Sequence, residues 1–156
     1  MTNAVTRTTH SPEETTDLAH QIAPQLRAGD CILLEGHIGG GKTHFARSLI
    51  QSLLEVPEDV PSPTFTLVQT YDAPDYEIWH CDLYRLSHPD EVFELGLTEA
   101  FSTALCLVEW PDRLGDLAPL SSLTLEFQAL EAEGARQLTA RYTDPRWDFI
   151  RGVLDV

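Results

Sequence analysis

The chain has 156 residues with 42% hydrophobic content and a formal net charge of −15, the signature of a globular protein with enough sequence for one respectable core. So acidic a surface repels phosphate backbones, which excludes tight DNA or RNA binding by this chain alone and favours a basic protein partner. No apolar run approaches the about 20 residues of a membrane span, so no membrane association and a cytoplasmic setting are expected.

Residues 1–10 are polar and carry no apolar signal-peptide core, and are expected to form a poorly ordered tail in front of a single domain. Ser11-Pro12-Glu13-Glu14 then opens a helix, with Ser as N-cap, Pro at the first turn and Glu closing a capping box. Leu18, Ile22 and Leu26 repeat every four residues and Gly29 is a natural stop. Thr15 within this helix reads first as a surface residue.

Cys31-Ile32-Leu33-Leu34-Glu35 is an apolar strand candidate, and His44 to Leu54 has helical spacing. Between them lies Gly36-His37-Ile38-Gly39-Gly40-Gly41-Lys42-Thr43, which reads G-x-x-x-x-G-K-T, the phosphate-cradling P-loop. The motif sits where its mechanism needs it, at the junction of a buried strand and a helix N-terminus. Its glycines let backbone N–H groups turn toward a phosphate, and the helix dipole adds positive character there. Gly36, Gly39, Gly40, Gly41, Lys42, Thr43 and His44 are the candidate nucleotide contacts. Lys42 would reach the outer phosphates and the Thr43 hydroxyl would hold Mg²⁺. Of ten basic residues Lys42 is the one lysine, so in an arginine-biased chain lysine persists where a compact ammonium differs from a planar guanidinium.

Three prolines between residues 56 and 63 make a stiffened loop ending in Ser62-Pro63-Thr64. Thr64 either begins a strand or senses a γ-phosphate. Phe65 to Tyr71 and Tyr76 to Leu83 read as an antiparallel hairpin turning at Asp72-Ala73-Pro74-Asp75. Short helices are expected from Ser87 to Gly96 and from Thr98 to Ser102. Residues 104–108 form a continuous apolar run, a strand buried on both faces, which Pro111 stops. Two alternating strands follow around Leu123–Phe127 and Gln137–Ala140, joined by a turn at Glu131 to Gly134, and Asp144-Pro145 caps a last helix. The three cysteines lie in apolar runs without a C-x-x-C pair and read as buried reduced thiols.

A P-loop needs a carboxylate at the end of a neighbouring strand to hold Mg²⁺ directly or through water. Glu109 ends the most apolar strand and Asp82 ends the second hairpin strand, so both are candidates, and Glu109 could also orient an attacking water. Arg85 and Arg136 are candidate phosphate or base contacts. The six histidines lack metal-ligand spacing, and Trp79, Trp110 and Trp147 read as core or interface. With one asparagine, Asn3, and one lysine, the chain has no N-K-x-D guanine reader. It also shows no arginine cluster of the kind a small-molecule kinase uses as a lid.

The ordered blocks Leu34 to Phe45, Ser62-Pro63-Thr64-Phe65-Thr66-Leu67-Val68, His80-Cys81-Asp82-Leu83-Tyr84-Arg85-Leu86, Glu94-Leu95-Gly96 and Leu107-Val108-Glu109-Trp110-Pro111 resemble those of the TsaE family, the ATPase subunit of bacterial tRNA threonylcarbamoyladenosine biosynthesis. The resemblance spans about residues 11–140. It implies an α/β, three-layer P-loop NTPase-like fold whose mixed sheet includes an antiparallel hairpin. It implies ATP and Mg²⁺ as cofactors and weak ATPase activity. It carries over Thr43 and Glu109 as metal-site residues and Asp82 as an active-site carboxylate, giving Lys42, Glu109 and Asp82 as the catalytic set. It raises Thr64 to a nucleotide sensor and places Thr15 and Arg136 near the nucleotide. The implied partners are subunits of TsaB and TsaD type, through which tRNA is reached indirectly for modification at adenosine 37. His37 and Gly40 depart from the residues the family often has there. Gly40 only adds backbone freedom. The competing readings are a small-molecule kinase on the same fold and a nucleotide-gated interaction module.

Overall fold

The computed structural model describes residues 2–37 and 41–155. Among these, seven strands form a single sheet: β1 (Asn3–Thr9), β2 (Cys31–Gly36), β3 (Val68–Asp72), β4 (Glu77–Asp82), β5 (Leu105–Glu109), β6 (Leu123–Ala129) and β7 (Arg136–Tyr142). The spatial order is β1-β7-β6-β2-β5-β4-β3. The four central strands run parallel, β6 with β2, β2 with β5 and β5 with β4. Antiparallel strands close both sides, β3 on β4 and β7 then β1 on β6. This is the mixed sheet with an antiparallel hairpin that the sequence implies.

The helices are α1 (Pro12–Ile22), α2 (Lys42–Leu53), α3 (Glu91–Leu95), α4 (Leu97–Thr103) and α5 (Ile150–Leu154). Alternation along the central strands sorts them into two layers. Ile32, Leu34, Leu105 and Leu107 point to one face, where Leu18, Phe45, Leu49 and Ile150 from α1, α2 and α5 cover them. Cys31, Leu33, Cys106 and Val108 point to the other, under Val92 of α3 and Leu97 of α4. Every residue of β5 is buried, which is why its sequence reads as an unbroken apolar run. Each such Leu or Ile contributes about 1.5–3 kcal/mol over an exposed one.

Several boundaries differ from the sequence reading, each for a local reason. Residues 1–10, expected as a tail, contain β1, paired with β7 from Asn3↔Tyr142 to Thr9↔Arg136. Its polar composition hides it, because an edge strand is held by backbone pairing more than by a buried side-chain face. The first helix starts where its cap predicts, with the Ser11 hydroxyl accepting from the Glu14 N–H at 3.3 Å, but α1 ends at Ile22. Pro24 has no N–H to continue the ladder, and Ala23–Gln25 tightens into a 3₁₀ turn. β3 starts at Val68 and not at Phe65, because Leu67 takes a left-handed φ of 67° and its N–H closes back on the Pro63 carbonyl at 2.8 Å. The last helical segment splits into a 3₁₀ turn, Pro145–Trp147, and α5.

Candidate functional site

The carboxyl ends of parallel strands β2, β5 and β4 come together at the N-terminus of α2, the crevice where doubly wound sheets bind ligands. Gly36 ends β2 against β6, in register with Phe127. A Cβ on Gly36 would lie 2.5 Å from the Phe127 carbonyl oxygen, so only glycine fits this approach. Gly41 precedes α2 with a left-handed φ of 105°. Gly39 and Gly40, also candidate contacts, lie outside the described residues.

Lys42 is the first residue of α2 and is buried. Its Nζ donates to the Gly36 carbonyl at 2.7 Å and lies 3.7 Å from the centre of the Trp110 ring. Burial pulls the ammonium below the usual lysine range, while Glu109, Asp82 and Asp112 oppose that shift.

The two candidate carboxylates are neighbours. Asp82 of β4 and Glu109 of β5 are paired in register, and both are buried. On β4, Ile78, His80 and Asp82 alternate onto the face that carries α2, as Leu105, Leu107 and Glu109 do on β5. The Thr43 hydroxyl donates to Glu109 Oε1 at 2.8 Å, and His80 Nε2 lies 2.6 Å from Glu109 Oε2. Asp82 Oδ2 accepts from the Thr64 hydroxyl at 3.1 Å, and its Oδ1 accepts from the Tyr84 N–H at 3.0 Å. The turn at Pro63–Leu67 therefore places Thr64 on the carboxylate instead of in a strand, with the Ser62 hydroxyl 2.8 Å away.

These groups open onto a cavity of about 560 Å³, within the range of small-molecule sites. Thr15, His44, Arg85 and Arg136 also line it. Thr15 is buried, not on the surface, with its hydroxyl 3.0 Å from that of Thr9 in β1. His44 Nε2 stands 2.9 Å from the Thr16 hydroxyl and 3.0 Å from the Pro12 carbonyl, which ties α2 to the start of α1. The Arg85 guanidinium lies over the exposed Phe65 ring, 4.5 Å from its centre. Arg136 begins β7 and donates to the Ala135 carbonyl at 2.9 Å. His37 is exposed.

Three residues escaped the sequence reading. Trp110, read as core or interface, covers Lys42 and packs against Tyr84 with ring centres 4.8 Å apart. Its left-handed φ of 58° turns the chain there as β5 ends. Phe127 forms another part of the cavity wall and packs on Phe45. His80 is fully buried beside Glu109. Its signal was the period-two spacing to Asp82, which puts both on one face of β4.

Strand, glycine loop and helix in this order, on a three-layer mixed sheet, define a P-loop NTPase-like α/β protein. The family model described as "Threonylcarbamoyl adenosine biosynthesis protein TsaE" matches residues 9–138, and the chain belongs to the TsaE family. A Rickettsia bellii relative, named tRNA threonylcarbamoyladenosine biosynthesis protein TsaE, is 41% identical over 122 residues, covering 78% of this chain and 85% of its own. The Bacillus subtilis protein of the same name is 32% identical over 143 residues, covering 91% and 88%. The crystal structure of Bacillus subtilis YdiB superposes with a TM-score of 0.78 at 26% identity, over 99% of this chain and 96% of that one. No helix among the described residues is long and apolar enough to cross a membrane.

Proposed function

We propose that this chain binds ATP with Mg²⁺ in the α2 cavity and hydrolyses it as a cytoplasmic subunit of the machinery that forms N6-threonylcarbamoyladenosine at position 37 of tRNAs. In this reading it works with partners of TsaB and TsaD type, and its hydrolysis supports their turnover. The observation that carries the reading is the Thr43–Glu109 hydrogen bond, flanked by Asp82, at the mouth of the P-loop helix. Family membership supplies the tRNA modification.

The residues suit the ion. Magnesium takes oxygen donors and is usually held by one or two carboxylates, with substrate phosphates and water completing its shell. Glu109, Asp82 and the Thr43 oxygen are such a set. The Thr43 proton is held by Glu109, so the hydroxyl lone pairs remain for a cation. When bound, Mg²⁺ would neutralise charge on the outer phosphates.

The chain's own groups do the rest. Lys42 has three donors, of which one goes to Gly36, leaving two for phosphate oxygens. The α2 N-terminus turns its free N–H groups and dipole toward the same place. Glu109 orients and deprotonates the attacking water, and its burial keeps competing water away. Thr64, hydrogen-bonded to Asp82, reports the state of the site to the loop before β3.

The test is ATP hydrolysis by the purified chain with Mg²⁺, with and without the partner complex, beside Lys42→Ala. Stimulation by the partners and its loss in Lys42→Ala are the expected results. Absence of ATP–Mg²⁺ binding, or a hydrolysis rate indifferent to the partners, would defeat the reading.

A further inference from the structure

We infer that His80 is the positioning residue for Glu109, fixing the carboxylate in the orientation from which it serves the nucleotide site; this rests on the ATPase reading above. A glutamate side chain has three torsions, and a strand end alone does not select among its rotamers. Glu109 is held at both oxygens, by Thr43 on Oε1 and by His80 on Oε2. Two donors on opposite oxygens set both the position and the rotation of the carboxylate plane. Thr43 is the group expected to turn toward a metal and phosphate, so His80 is the anchor that stays when the site fills.

The histidine has no other polar task among the described residues. It is fully buried, its Nδ1 has no hydrogen-bond partner, and Nε2 is directed at Glu109. An ionised carboxylate only accepts, so Nε2 carries the shared proton. The preceding inward position on β4 is the apolar Ile78, buried in the core under α2. An apolar residue at His80 would spare the cost of burying an unpaired ring nitrogen. The 2.6 Å contact with Glu109 is what the polar ring supplies in return. Partners of this kind, one step behind a reacting or ligating group, typically change activity roughly 10–100-fold when removed.

The test compares two amides in the full chain, assayed with its partner complex. His80→Gln carries an N–H to near the place of Nε2, whereas His80→Asn stops one bond short. The expected result is that His80→Gln keeps kcat within roughly threefold of the unmodified chain, while His80→Asn lowers kcat roughly 10–100-fold with little change in KM for ATP. In a Glu109→Gln background, His80→Asn should have no further effect. Wild-type kcat in His80→Asn, equal losses in both amide variants, or an additive loss on top of Glu109→Gln overturns the inference. A second readout needs no nucleotide. In the isotope-labelled chain without nucleotide, the His80 Nε2–H should give a slowly exchanging proton resonance that moves in Glu109→Gln. Its absence, or its indifference to Glu109, overturns the inference even if the unmodified chain hydrolyses ATP no faster than Lys42→Ala, the outcome that defeats the ATPase reading itself.

Discussion

Lys42 is a cation placed where a cation is disfavoured. Burial lowers its pKa, which means the folded chain holds the charged form less readily than the unfolded chain does. The Trp110 ring and the Gly36 carbonyl offset part of that cost. Lys42→Ala should therefore abolish nucleotide binding or turnover while the nucleotide-free chain melts within a few degrees of the unmodified one, or above it. Thermal unfolding and nucleotide titration on the same sample check both halves. Glu109→Gln should lower hydrolysis roughly 100-fold or more with nucleotide binding kept, the range for loss of a general base. Gly36→Ala acts differently. Its methyl would meet the Phe127 carbonyl at 2.5 Å on a backbone with φ of 139°, so denaturant unfolding should show a loss of roughly 1–3 kcal/mol whether or not nucleotide is present.

At the level of elements, β1 joins the sheet to the cavity. It covers the outer edge of β7, and Thr9 at its end holds the Thr15 hydroxyl at the wall of the site. Seven cross-strand pairs at roughly 0.2–1 kcal/mol each give about 1–7 kcal/mol as the cost of deleting residues 1–9, readable as a lower urea midpoint, and the deletion weakens nucleotide binding through Thr15. On the opposite face of the sheet, β2, β4 and β5 carry Cys31, Cys81 and Cys106, all buried in one cluster. Burial, with the charge of Asp30 adding to it, pushes the Cys31 thiol from 9.0 up to about 12, and Cys81 and Cys106 are raised as well. The folded chain thus keeps protons that the unfolded chain releases. Stability is intact below pH 9.0 and falls as pH climbs toward about 12, so the urea midpoint should drop across that window and Cys31→Ala should flatten the drop.

For the molecule as a whole, local words were legible and pairing was not. The P-loop, the unbroken run of β5 and the cap of α1 each announce themselves within a dozen residues, because period and capping are local. Asp82 and Glu109 stood out as strand-end carboxylates, but their adjacency depends on the register of β4 on β5, which no local pattern encodes. His80 depends on that register too, and the burial of Thr15 depends on a β1 that polar residues conceal. Net charge is a different kind of whole-chain property, because it needs no register. A net charge of −15 works against a long polyanion, and the chain's one lysine lies buried in the cavity, where it serves the nucleotide site and not an extended phosphate backbone. A protein that gains little from counterion release has no route to tight RNA affinity. The chain alone should therefore fail to retain tRNA at near-physiological salt, with any Kd weaker than about 10⁻⁴ M. Adding the partner complex should bring chain and tRNA into one species, because the basic surface must then be the partners'. Gel-shift or sedimentation measurements over a salt series check this: a tight, steeply salt-dependent complex of tRNA with the chain alone would contradict it.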